Sequence, residues 1–335
     1  MRNTSVVVTR YGGPEVLEVV QEPLRKIQKD EVRVKVIVAG VAFADILRRE
    51  GLYPNTPVPP FTPGYDAIGV IDDVGETINQ FAIGDRVAVF FDGTGSYAHY
   101  VYAKPDELVT VPDGLDAIQA VAVILNYVTA YQMLHRVAKV SPGESVLVHG
   151  ASGGVGSAML QLGKLAGIKM YGTASLVNLP FVSQLDATPI DYRNEDFVQV
   201  INQQQPDGID AVFDPIGGLN WERSFQTLGK NGRFIGYGHT SVRDSGNFQD
   251  WISNWSKYAN MKTTERGNPI YLFSVTAKKK ERLDWFQEDL QRLFVLLEKG
   301  QIKPWISHQI PMTEVAKAHY LLENSQSTGK IVLIC

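Results

Sequence analysis

The segment with the most chemical content is Ser145-Val146-Leu147-Val148-His149-Gly150-Ala151-Ser152-Gly153-Gly154-Val155-Gly156. Apolar strand-forming residues run straight into glycines, and the residues that follow, 157–166, are small or apolar, as a helix packed on a sheet requires. Ala151, Gly153 and Gly156 keep the Gly-x-Gly-x-x-Gly spacing with alanine first. Such residues permit a tight turn, let backbone N–H groups approach a pyrophosphate, and place it at the positive end of a helix. The same stretch also fits Gly-x-Ser-x-Gly through Gly150, Ser152 and Gly154, the nucleophile elbow of an α/β-hydrolase. Asp214 with His308 or His319 would then complete a triad. That reading gives Gly156 no task and leaves the β-rich first third without a place, so the dinucleotide reading is preferred.

In a dinucleotide fold, the end of the second strand selects the cofactor, an acidic residue there holding the adenine ribose 2′-OH of NAD. Here the stretch reads Gly172-Thr173-Ala174-Ser175-Leu176, and the next acid is Asp186. Without that carboxylate a 2′-phosphate is not repelled and Ser175 is able to hydrogen-bond it, which predicts NADPH. A basic partner is less evident: Lys169 is too early, and Arg193 lies beyond the third strand region.

The elements around this loop fall into two textures. Residues 31–38 alternate charged and apolar side chains, and short apolar runs follow at 67–71, 86–91, 97–101 and 108–111. Gly-, Pro- and Asp-rich turns separate them, predicting a small antiparallel, barrel-like domain. From about residue 120 the pattern is helical to 137. Strands then alternate with helices: strands at 145–149, 169–173, 209–213, 233–236, 271–275 and 330–334, and helices at 157–166 and 281–299. That alternation predicts a parallel sheet covered by helices. Lys278-Lys279-Lys280 is expected as a solvated helix start.

At 335 residues the length suggests two domains, and 32 basic against 36 acidic residues give a net charge of −4. No phosphate-neutralising field exists for a nucleic-acid binder. The single cysteine, Cys335, excludes an intrachain disulfide and any cysteine-based structural zinc site. Neither charge-free span, 117–134 or 145–163, reads as a bilayer crossing, and the N-terminus reads as a strand and not as a signal segment. A soluble cytoplasmic protein without membrane insertion is expected.

The order of motifs resembles the zinc-independent medium-chain dehydrogenase/reductases, in the quinone oxidoreductase (zeta-crystallin-like) branch. They are Gly40-Val41-Ala42-Phe43-Ala44-Asp45, Arg49-Glu50-Gly51-Leu52-Tyr53-Pro54, Pro63-Gly64-Tyr65-Asp66-Ala67-Ile68-Gly69-Val70, Gly84-Asp85-Arg86-Val87, the glycine loop, Phe213-Asp214-Pro215-Ile216-Gly217-Gly218 and Gly329-Lys330-Ile331-Val332. Leu125-Asn126-Tyr127-Val128-Thr129-Ala130-Tyr131 looks like the subgroup containing vesicle amine transport protein. The resemblance implies an α/β chain in which a GroES-like, β-rich catalytic domain (1–125 and 277–335) holds a Rossmann, doubly wound NADP-binding domain (126–276).

It also implies where metal would have been. Zinc-dependent relatives carry ligands where this chain has Ala42 and Tyr65, and the six histidines (His99, His135, His149, His239, His308 and His319) show no ligand spacing. No zinc is expected. A metal-free site can still deliver hydride to an electron-poor carbon of a quinone or an α,β-unsaturated carbonyl, given one donor for the oxygen that gains charge. By resemblance the candidate donor is Tyr53, with Tyr65 second and Asp45 orienting. Cofactor contacts are expected at Asn126 and Thr129 near the nicotinamide, Ser152, Gly153, Gly154 and Val155 at the pyrophosphate, and Ser175 and Tyr192 at the adenosine. Gly217, Gly236, Tyr237, Phe273, Val275 and Lys330 complete the set, Phe273 and Val275 lying in a strand that pairs across a homodimer. Where the family usually carries Asn, Ala42 makes the pocket more apolar. The function expected is reduction of a small-molecule quinone or enone; the alternatives are an enoyl-thioester (acyl-carrier) reductase and a non-enzymatic NADPH-binding structural or regulatory protein.

Overall fold

Alternating apolar and polar residues build β1 (Arg2–Val8), which pairs antiparallel with β2 (Leu17–Pro23). A computed structural model describes all 335 residues. The chain continues through β3 (Val32–Val41), α1 (Phe43–Arg49), β4 (Asp66–Val74), β5 (Arg86–Phe90), β6 (Tyr100–Ala103) and β7 (Leu108–Thr110). One unbroken helix spans Ala117–Val137. Within it, α2 (Ala117–Ala122) and α3 (Val128–Tyr131) are each followed by a π-helical stretch, Val123–Tyr127 and Gln132–Val137. It is long and apolar enough to cross a bilayer, and 83% of its most apolar stretch is buried.

Next come β8 (Ser145–Val148), α4 (Gly154–Leu165), β9 (Lys169–Ala174), α5 (Leu179–Gln184), β10 (Ala187–Asp191), α6 (Phe197–Gln204), β11 (Ile209–Asp214), α7 (Leu219–Phe225) and β12 (Leu228–Gly236). Then follow α8 (Val242–Ser245), α9 (Phe248–Met261), β13 (Ile270–Leu272), α10 (Val275–Glu281), α11 (Leu283–Glu298), β14 (Ile306–Pro311), α12 (Val315–Glu323) and β15 (Lys330–Ile334).

Two compact units result, Met1–Val128 with Lys279–Cys335, and Thr129–Lys278. The first holds a mixed sheet in the order β14-β15-β3-β4-β5-β7, with β6 also on β3; only the β14–β15 pair is parallel. Its core gathers Val6, Val34, Val89, Tyr97, Ile310 and Leu333. The second holds six strands in the order β10-β9-β8-β11-β12-β13, all parallel. That is the doubly wound order, with its switch point beyond the carboxyl ends of β8 and β11. Leu147, Tyr171, Val212, Trp221 and Phe234 centre its core.

Several expectations are corrected. The strand expected at 271–275 stops at Leu272: Phe273 still donates to Gly236 O, but Ser274 accepts the Ala277 N–H and turns the chain into α10. Val275 is therefore helical, and Phe273 lies just past the strand. The helix expected over 281–299 begins at Leu283, after a separate α10. Lys279 is not solvated: it is buried, donates to Phe90 O at 2.9 Å, and lies over the Phe90 and Phe286 rings. Strands β2 and β14, and the helix pair α8–α9, were not anticipated, and β10, invoked only as a third strand region before Arg193, was not delimited.

Candidate functional site

In the second unit the glycine segment forms a turn between β8 and α4. Gly150 adopts φ +67°, and Gly153, the residue before α4, has no side chain to cap the first helical amides. Those amides are therefore open to an anion from outside. A Cβ on Gly156 would lie 2.2 Å from Gly150 O and 2.7 Å from Ala151 Cα, so only glycine lets the helix approach the turn this closely. Gly172 of β9 is equally constrained, since a Cβ there would sit 2.6 Å from that of Ala151. Ser152, Gly153, Gly154 and Val155 are half-buried along this rim. A cradle that a side chain would fill, lined by uncapped amides, fits a dinucleotide pyrophosphate.

Beneath the turn runs a buried chain of hydrogen bonds that sequence reasoning missed. Gly150 N–H donates to Thr173 Oγ1 (3.3 Å), and Thr173 Oγ1 lies 3.1 Å from His149 Nδ1. His149 Nε2 meets Ser224 Oγ at 3.0 Å, and Ser224 Oγ donates to Asp214 Oδ2 at 2.8 Å. Burial holds the His149 pKa below its usual value, so the ring is neutral, donating to Ser224 and accepting from Thr173. Asp214 also accepts from Ile216 N–H and Asn220 Nδ2, both at 2.7 Å. This chain ties together the ends of β8, β9 and β11. Asp214 is thus committed to its own loop and to Ser224, with His149 as its histidine neighbour, 3.8 Å away. His308 and His319, nominated for a hydrolase triad, belong to the other unit.

At the end of β9, half-buried Ser175 accepts from Asn178 Nδ2 (3.2 Å). Asp186 precedes β10, at the amino end of the parallel strands and away from Ser175 at their carboxyl end, and pairs with Lys164 at 2.6 Å. It is not placed to hold a ribose beside Ser175. Tyr192 and Arg193 follow the end of β10, where Tyr192 N–H donates to Ala174 O. Arg193, set aside on sequence distance, therefore reaches the same edge as Ser175, its Nε donating to Tyr192 Oη at 3.3 Å. Unread strand β10 hid this. Gly217 (φ +85°) and Gly236 abut His239 and Trp221 so closely that neither admits a Cβ; Tyr237 is half-buried, and Phe273 and Val275 are buried. Thr129 is buried in this unit with its Oγ1 unpaired; Asn126 is buried in the first unit.

In the first unit the three catalytic candidates divide into two groups. Asp45, the third residue of α1, accepts from Ala42 N–H and Tyr97 Oη, each at 2.8 Å, while its Oδ1 is buried without a partner. Desolvation raises its pKa to about 6. Lys330, expected at the cofactor, is buried and paired with Asp66 at 3.4 Å. Tyr53 and Tyr65 come together instead around Arg48, whose Cζ lies 4.6 Å from the Tyr53 ring centroid and 5.5 Å from that of Tyr65. Arg48 carried no sequence signal, and neither Asp66 nor Tyr97 was assigned a role from the sequence. No group of three or more His, Cys, Asp or Glu side chains is arranged to hold a metal, and Ala42 and Tyr65 offer no ligand pair.

Comparison with known proteins decides the family. The profile of the alcohol dehydrogenase GroES-like domain matches residues 28–113, and that of a zinc-binding dehydrogenase matches residues 185–333. Human quinone oxidoreductase is 34% identical over 335 residues, spanning 98% of this chain and 97% of the relative. The chain belongs to the quinone oxidoreductase branch of the medium-chain dehydrogenase/reductases. The branch also takes in the zebrafish synaptic vesicle membrane protein VAT-1 homolog, 31% identical over 98% of this chain and 69% of that protein. Escherichia coli quinone oxidoreductase, solved as a complex with NADPH, is 26% identical, with a TM-score of 0.86 over 99% of this chain and all of that one. The two folded units are accordingly the GroES-like and Rossmann parts of a quinone oxidoreductase-type chain.

Proposed function

We propose that this chain is a zinc-independent, NADPH-dependent reductase of quinones or α,β-unsaturated carbonyls. The observation that carries the reading is the uncapped glycine turn of β8–α4 combined with a β9 end that presents Ser175, and no carboxylate, to the ribose. Ser152 to Val155 hold the pyrophosphate through backbone amides, and Ser175, Tyr192 and Arg193 hold the adenosine 2′-phosphate. NADPH, when bound, supplies the hydride. Asn126, Thr129, Gly217, Gly236, Tyr237, Phe273, Val275 and Lys330 complete the cofactor surroundings. Tyr53 gives a proton to the oxygen that gains charge, Tyr65 supports it, and Asp45 fixes the Ala42 amide and Tyr97.

Charge on an acceptor conjugated to its own carbonyl is spread by the acceptor itself, so the protein need supply only a donor and a dry pocket. Domain limits at 1–125 with 277–335, and 126–276, a cytoplasmic location, and a homodimer joined through the exposed edge of β13 belong to the same reading. The purified protein is expected to consume NADPH, followed at 340 nm, with quinones or alkenals, and to use NADH poorly. Turnover confined to enoyl thioesters, a lower KM for NADH, or cofactor binding without turnover each sinks it.

A further inference from the structure

Arg48 is 4% exposed, yet it is not merely a paired structural cation. Its Nη2 donates to Asp92 O at 2.9 Å and to Tyr65 Oη at 3.4 Å, and its Nη1 donates to Asn55 O at 3.3 Å. The acceptors holding it are uncharged oxygens, and its buried Nε–H has no partner. The guanidinium thus retains its positive field among two aromatic faces and carbonyl dipoles. Its position is built in: Gly93 adopts φ +99°, and a Cβ there would lie 2.5 Å from Arg48 Nε and 2.7 Å from Tyr65 Cζ. Tyr65, 2% exposed, hydrogen-bonds Tyr53, and burial, with Tyr53 beside it, pushes its pKa up. Tyr53 is half-buried.

We propose that Arg48 and Tyr65 form a fixed relay, Arg48 N–H to Tyr65 Oη–H to Tyr53 Oη, which holds the Tyr53 proton toward an acceptor oxyanion and stabilises the phenolate left behind. This rests on the reductase reading above. When hydride adds to the acceptor carbon, the displaced π-electron pair settles on the conjugated oxygen. The Tyr53 Oη–H bond breaks and that proton bonds to the oxygen, giving the enol, which for a quinone then tautomerises to the hydroquinone. Tyr53 recovers a proton from Tyr65, and Tyr65 from water, so each hydride accepted is matched by one solvent proton. Arg48 does not touch the acceptor; it acts through the two phenols as a positioning residue, and it favours binding of a small planar oxyanion.

The test uses 4-nitrophenol, whose visible absorbance separates phenol from phenolate, added to the full-length protein saturated with NADP⁺. Wild type is expected to lower the apparent pKa of the bound probe by on the order of one unit or more, tenfold in proton concentration. Arg48→Met and Tyr65→Phe abolish the shift, while Arg48→Lys restores part of it. In turnover, Arg48→Met lowers kcat on the order of 10²-fold, with the KM for NADPH within about twofold. No shift in wild type, or a shift and kcat retained in both variants, overturns the proposal. Equal losses in kcat and in NADPH affinity, with a lower Tm, overturn it in favour of a structural role. Should Arg48→Met not fold, Tyr65→Phe decides alone. Because the probe signal needs no turnover, failure of the reductase reading and failure of the relay are distinguishable.

Discussion

Replacing Asp45 with asparagine separates the cost of its charge from the value of its hydrogen bonds. The carboxyl is fully buried, its Oδ2 accepts from Ala42 N–H and Tyr97 Oη, and its Oδ1 meets nothing polar. Desolvation lifts the pKa from 3.8 to about 6, overcoming those two hydrogen bonds and the Lys330 charge, which favour the anion. An acid with a raised native pKa holds its proton more tightly when folded, so ionising it weakens folding. The loss begins as pH rises through the unfolded value, 3.8, and is complete above about 6. At about 1.4 kcal/mol per unit, the shift corresponds to about 3 kcal/mol. Asp45→Asn keeps a carbonyl oxygen for both donors and cannot ionise. Its stability relative to wild type is therefore expected to rise by about 3 kcal/mol between about pH 4 and about pH 7. Urea unfolding of both proteins across that range measures the difference, with matched m values as the control. Other titrating groups cancel in the comparison, Asp66 excepted, whose charge adds to the Asp45 shift in the same direction. A difference flat to within about 1 kcal/mol refutes the dominance of desolvation. An opposite slope shows that Lys330 outweighs it.

Gly156→Ala places a Cβ 2.2 Å from Gly150 O, so the loop must move; about 2 kcal/mol, or about 30-fold in NADPH Kd, is expected. Fluorescence titration reads this, and a change under about threefold contradicts the tight-turn argument. Arg193→Ala raises KM for NADPH on the order of tenfold and leaves NADH kinetics unchanged, and equal effects on both remove Arg193 from 2′-phosphate recognition. Ser224→Ala breaks the buried chain between His149 and Asp214, lowering stability by about 1–3 kcal/mol in thermal or urea melts; an unchanged Tm makes the chain incidental. Dialysis against EDTA leaves kcat unaltered, and a loss restored by zinc refutes a metal-free mechanism.

What could be read from the sequence was local and periodic. The strand–glycine–helix of 145–166 carries its signal in residue size and spacing, so the turn appears where expected, with Gly167 at φ +66° ending the helix. Strand β10, Ala187–Asp191, escaped because Thr188-Pro189 breaks an already short run, although Pro189 sits on an edge strand where no ladder donor is needed. Missing it separated Ser175 from Arg193, which the sheet places at one edge. Helix α9 escaped because its apolar face is made of Trp251, Trp255 and Tyr258 among polar residues; Trp255 and Tyr258 pack as rings against Trp221, Tyr258 also against Phe225, and Trp251 against Trp255. The His149–Ser224–Asp214 chain joins residues from three separate elements, a proximity that only the folded sheet creates.

The seven residues of α1 show why charge in a sequence does not by itself mark a site. Phe43-Ala44-Asp45-Ile46-Leu47-Arg48-Arg49 buries three charged side chains, each of which needs partners to be tolerated away from water. Arg49 has them all: Nε donates to Gly12 O, Nη2 meets Glu50 and Glu323, and Nη1 faces His319, whose pKa burial, and then the Arg49 charge, lowers to about 3. Every nitrogen is occupied, and the group reads as scaffold between α1 and α12. Asp45 and Arg48 are different, since each leaves one buried polar atom unpaired. Asp45 stands beside Ala42, where zinc-dependent relatives place a ligand, and Arg48 stands beside the tyrosine pair. A buried charge with all its bonds made holds the fold, whereas one held by neutral groups keeps a field that a reacting oxygen can use. On that criterion adjacent arginines in one helix take opposite roles, a distinction set by their partners and absent from their identities.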